Sequence, residues 1–197
     1  MKHLLMSAVL GSIVALVPLE SKAVTLFSAN FSGEQENPPV TSSASGTAQL
    51  SLNDAMDRLE INIQLFGLDL DGNQTPDGDD DVVALHIHRA PVGSNGPVVF
   101  GLISPNNDTS VPPDLMIDPV AGTLFSAWDL TEGNNTTLAD ELVNLFSSGL
   151  YFNVHTPGNP SGEIRGQIVP VPEPSTHVAT LGLALFIGST GLLKGSR

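Results

Sequence analysis

The sequence predicts an all-β fold, an antiparallel β-sandwich of about eight strands carrying one short helix. Two observations carry this: short segments in which apolar and polar residues alternate, and Gly, Pro, Asn and Ser clusters that separate them at regular spacing. Taken in order, Thr25 to Phe31 is a first strand and Gly46 to Leu52 a second. Leu59 to Leu65 alternates strictly, which places Leu59, Ile61, Ile63 and Leu65 on a core face and Glu60, Asn62 and Gln64 on the water face. Val82 to His88, Val98 to Ile103, Gly122 to Trp128, Tyr151 to His155 and Ile164 to Val169 supply five more.

One segment departs from this rhythm. Thr137 to Asp140 is a capping-box-like start, Leu138, Leu142, Leu145 and Phe146 follow helical spacing, and Gly149 sits where a helix stops. A helix is therefore expected over Leu138 to Ser148, as a plug with a structural role.

The 197 residues are expected to divide into a signal peptide over 1–23, one domain over 24–170 and a C-terminal sorting segment over 171–197. Between Val24 and Pro170 only Arg58, Arg89 and Arg165 are basic, against 19 acidic residues. That field repels phosphate backbones and excludes nucleic acid as a partner, while it favours cations. The absence of cysteine removes disulfides, thiolate metal sites and thiol nucleophiles. Neither a Gly-x-Ser-x-Gly elbow nor a nucleophile placed beside a histidine is present, which disfavours a hydrolase.

At the N-terminus, a basic start and the apolar run Leu4 to Val17 precede Ser21-Lys22-Ala23. The run is short for a membrane span, so it is expected to be a secretory signal cut by signal peptidase after Ala23. At the other end Pro172-Glu173-Pro174 precedes the uncharged apolar run Val178 to Leu193 and the basic residues Lys194 and Arg197.

Two stretches carry metal-capable side chains. His86 and His88 share one face of a strand, their Cα atoms about 6.5 to 7 Å apart, and His155 closes a second strand-loop-strand unit. All the histidines lying between the two terminal signals belong to this set, which makes His86, His88 and His155 candidate ligands for copper or zinc. Binding near one equivalent is expected at neutral pH, with release as the imidazoles protonate below about pH 6. The alternative is three histidines bracing their loops by hydrogen bonds. In the acidic loop, Asp69, Asp71, Asn73, Asp77 and Asp79 offer oxygens for a calcium-type site, although the glycine of D-x-D-x-N falls at the fourth position where such a loop wants the sixth.

His-Ile-His, then Gly-Ser-Asn-Gly-Pro-Val-Val at 93–99, Tyr-Phe-Asn-Val-His-Thr at 151–156 and Gly-Glu-Ile-Arg-Gly-Gln-Ile at 162–168 together resemble the CHRD domain, the module named after repeats in chordin. Phe31 to Val40 is similar to the start of that family, so the resemblance spans roughly Val24 to Val169. It implies a Greek-key sandwich of superoxide-dismutase-like or Ig-like plan. In copper/zinc superoxide dismutases an H-x-H strand supplies two copper ligands, a likeness of fold that does not by itself imply activity. The missing cysteines and missing histidine-rich zinc loop stand against a dismutase. Arg165 is a candidate to hold an anion over the site or to brace the histidines from behind, the alternative being an arginine buried against Glu163 or Asp neighbours for structural reasons.

The C-terminus resembles the PEP-CTERM sorting signal of Gram-negative bacteria, which implies an exosortase-type partner acting near Pro172-Glu173-Pro174 and a membrane stage before processing. The expected function is an exported, non-catalytic binding or matrix module of the cell envelope or extracellular matrix. Its expected partners are extracellular polysaccharide or surface proteins. The alternative is a copper/zinc-type metalloprotein or dismutase-like enzyme.

Overall fold

The computed structural model describes residues 24–172. Ala23, Glu173 and Pro174, and with them both terminal signals apart from Val171 and Pro172, lie outside the described residues. Among the described residues ten strands occur: β1 Thr25–Ser32, β2 Ser45–Leu52, β3 Arg58–Phe66, β4 Ala84–Arg89, β5 Val98–Ile103, β6 Met116–Asp118, β7 Thr123–Asp129, β8 Leu150–His155, β9 Ile164–Gln167 and β10 Val169–Pro170. Helix α1 spans Leu138–Phe146 and a 3₁₀ turn spans Gly33–Gln35. Among the described residues no helix is long and apolar enough to cross a membrane.

All pairings between strands are antiparallel, and they form one path in the order β5-β4-β8-β9-β1-β2-β3-β7-β6, with β10 on β1. The link between β9 and β1 is a single register pair, Ser32 with Arg165. A sheet this long and twisted curls rather than staying flat. Its closure is visible where Phe100 of β5 stacks on Trp128 of β7, centroids 4.9 Å apart, although these strands lie near opposite ends of the path. The expected sandwich is thus one sheet folded over its own core.

The alternation in β3 is realised as read, with Leu59, Ile61, Ile63 and Leu65 buried in the core cluster. All eight expected strands are present. The last is broken at Ile168, whose N–H turns to the Leu150 carbonyl, and this yields β9 and β10. Strand β6 was not expected from the sequence, because its three residues are all exposed and show no alternating burial. Helix α1 has the expected start: Thr137 Oγ1 accepts from the Asp140 N–H. It ends two residues earlier than expected, and the left-handed residue that stops it is Ser148, not Gly149. Leu138 and Leu145 plug the core.

Candidate metal centre

The register of three strands assembles one polar face. His86 and His88 of β4 pair with Asn153 and Tyr151 of β8, and Asn153 and Tyr151 pair in turn with Arg165 and Gln167 of β9. Directly paired residues point to the same side of a sheet, so these six, with His155, share a face. The alternate residues Leu85, Ile87, Phe152, Val154 and Ile164 fill the core on the other side. The polar face is itself covered, by loops following β4, β5 and β8.

Each histidine is anchored by one ring nitrogen to a backbone carbonyl of those loops. His86 Nε2 donates to Ser104 (2.9 Å), His88 Nδ1 to Gly96 (2.9 Å) and His155 Nδ1 to Pro160 (3.1 Å). A carbonyl only accepts, so these nitrogens carry the protons, and the tautomers are fixed. The remaining nitrogens, His86 Nδ1, His88 Nε2 and His155 Nε2, are buried lone pairs with no hydrogen-bond partner. The three side chains converge, each offering a ring nitrogen within 4.8 Å of the others. Leaving a buried acceptor unpaired costs about 1–3 kcal/mol, and three such acceptors in one cluster of histidines suit a metal cation. The bracing role foreseen as the alternative is therefore real, and it uses only half of each ring.

Tyr151 and Arg165 support this arrangement. The His88 ring stacks on Tyr151 at 5.0 Å, and the Arg165 guanidinium lies 3.4 Å from the centroid of the Tyr151 ring. Tyr151 Oη accepts from the Gly96 N–H, so the residue whose carbonyl holds His88 is itself held by the ring that stacks on His88. Gly96 tolerates no side chain there, since a Cβ would collide with the Arg89 carbonyl. Burial pushes the His88 pKa down to about 4 and lowers that of His155 as well. Both are accordingly neutral and ready to ligate at pH 7, and proton competition at His88 begins well below the pH 6 expected from an ordinary imidazole.

Arg165 is almost wholly buried and gives its N–H groups to the carbonyls of Ser94 and Pro91 and the side-chain oxygens of Asn95 and Gln167. Apart from Gln167 on its own strand, its partners belong to the loop that follows β4. The adjacent Glu163 instead accepts from Ser42 and Thr156. Burial pushes the Glu36 carboxyl up to about 7 against the opposing pull of the Arg165 charge. A folded-state pKa above the unfolded value means the native state holds the extra proton, so stability is full at low pH and falls as pH rises through about 7. Between pH 6 and pH 8 the wild type is expected to lose about 1 kcal/mol that Glu36→Gln does not lose, read by urea unfolding. Equal losses in the two proteins would contradict this environment for Glu36.

Of the five acidic-loop residues, only Asp69 is buried and joins a carboxylate cluster, with Asp80 and Asp81. Asp71, Asn73, Asp77 and Asp79 are exposed, and Asp71 and Asp77 cap turns of their own loop. Burial would raise the Asp69 pKa, but the N–H groups of Thr75, Asp71, Gln74 and Gly72 surround its carboxylate and bring it down to about 2. Asp69 therefore organises the loop from within.

Tyr151, Asn153 and Gln167 were not singled out in the sequence as site residues. Their signal was available: Tyr151, Asn153 and His155, like Arg165 and Gln167, stand at every second position of a strand, on the face defined by His86 and His88. No curated protein and no solved structure matches the chain. A family comparison matches residues 27–168 to the CHRD domain, and that match takes in every residue of the histidine centre, so the protein belongs to the CHRD domain family.

Proposed function

We propose that the protein is an exported, non-catalytic binding module of the cell envelope or extracellular matrix whose three-histidine centre holds one copper or zinc ion. Membership of the CHRD family suggests a binding module rather than an enzyme. The observation that carries the metal reading is the set of three buried, unpartnered ring nitrogens, each fixed by a carbonyl on the opposite side of its ring. Three neutral nitrogen donors without a carboxylate or thiolate suit zinc or copper better than calcium or magnesium. The test is calorimetric titration of the purified chain with zinc sulfate or copper sulfate at pH 7. One equivalent supports the reading, and no heat with either ion removes it.

Export rests on the terminal segments of the sequence, the run Leu4 to Val17 before Ala23 and the Pro172-Glu173-Pro174 motif before Val178 to Leu193. The chain crosses the inner membrane, loses residues 1–23 to signal peptidase and is released or transferred by exosortase-type machinery. Association with extracellular polysaccharide or surface proteins follows. Replacing Pro172, Glu173 and Pro174 by alanine is expected to leave the protein in the membrane fraction on cell fractionation. Maturation and release at the wild-type level would count against the sorting step.

A further inference from the structure

The two ends of the described chain leave the domain side by side, because the Val171 N–H donates to the Leu26 carbonyl and β10 pairs with the start of β1. Around this point lie six exposed apolar side chains. Leu26 and Val24 stand on β1 and just before it, Val169 and Val171 on and after β10, and Phe146 packs edge-on against Phe27 with Val143 one turn before it. Val143 is 77% exposed and the other five between 38% and 46%. In a domain with so many surface acids, a gathering of this kind at one end marks a contact surface. The sequence says what lies beyond it: the five residues 173–177 separate Pro172 from the uncharged apolar run Val178 to Leu193, which Lys194 follows. Fully extended, five residues reach less than about 20 Å, so a bilayer holding that run lies within reach of this end of the domain.

We infer that, before C-terminal processing, this end of the domain rests on the lipid surface, with Val24, Leu26, Val143, Phe146, Val169 and Val171 seated at the headgroup and upper acyl level. Aromatic and branched apolar side chains gain from such a seat, with Arg58 and Glu60 beside Val24 at its aqueous margin, and the acidic domain requires a leaflet that is not strongly anionic. The seat fixes the orientation of the module during sorting, which a tether alone does not do. It rests on the reading of 178–193 as a membrane segment and is independent of the metal centre.

Because the chain contains no cysteine, single-cysteine variants of the full chain can be labelled cleanly. Val143→Cys and Val169→Cys, with Val92→Cys and Val111→Cys as exposed positions elsewhere, would carry an environment-sensitive fluorophore. Each is reconstituted in phosphatidylcholine vesicles with a nitroxide on the lipid headgroup. Severalfold stronger quenching at 143 and 169 than at 92 and 111 is the expected result. Equal quenching at all four positions in chains that float with the vesicles overturns the inference and leaves the membrane segment standing. Chains that fail to float overturn both. A label at 143 that is shielded from water yet untouched by the nitroxide shows a protein occupant, and that too overturns the lipid seat.

Discussion

Ile63→Asp is expected to unfold the domain. Ile63 is in the middle of β3, paired with Ala48 of β2 on one side and Leu124 of β7 on the other, and is 3% exposed in the continuous core cluster. An aspartate there has no cation to meet, and burying it costs several kcal/mol, a large part of the 5–15 kcal/mol that holds a domain of this size together. Ile63→Val, which removes one methyl group, is expected to cost only about 0.5–1.5 kcal/mol. Thermal unfolding followed by circular dichroism separates the two. An Ile63→Asp protein that melts like wild type would mean that the inward face of β3 has been misassigned.

His86→Ala, His88→Ala and His155→Ala are each expected to weaken zinc or copper binding at least tenfold, about 1.4 kcal/mol or more, and the triple substitution to abolish it. The strands should survive, because all three side chains lie on the face turned away from the core. What each variant also loses is a hydrogen bond to a loop carbonyl, at Ser104, Gly96 or Pro160. A purely bracing role would therefore loosen the loops and leave metal affinity unchanged. Unaltered affinity in the triple variant, with the loops more open to hydrogen exchange, would assign the histidines to bracing alone.

Much of the fold was legible because alternation records burial directly. Leu59 to Leu65 states its two faces residue by residue, and the structure keeps them. Strand β6 was not legible, since its pairing with β7 is sustained by backbone bonds while Met116, Ile117 and Asp118 all face solvent. The end of α1 was misread because Gly149 is the usual stop, whereas the chain takes its left-handed turn one residue earlier, at Ser148. In the site, the shared face of His86 and His88 followed from strand geometry. The partnership with Arg165 did not, because its hydrogen bonds run to carbonyls of Pro91 and Ser94, more than 70 positions away, and backbone acceptors leave no trace in residue identity. In the acidic loop the side-chain spacing suggested a ligand set of Asp69, Asp71, Asn73, Asp77 and Asp79. The fold sets Asp69 beside Asp80 and Asp81, which the spacing did not single out, with its carboxylate also accepting from its own loop's N–H groups.

The central claim is that His86 Nδ1, His88 Nε2 and His155 Nε2 bind one metal ion together. X-ray absorption spectroscopy of the chain loaded with one equivalent of zinc tests it most directly. The account predicts a first shell containing three imidazole nitrogens at about 2.0–2.1 Å, identified by the multiple scattering of their rings, and loss of that signature in the triple alanine variant. A shell made of oxygens alone, or an imidazole signature that persists in the triple variant, would contradict it.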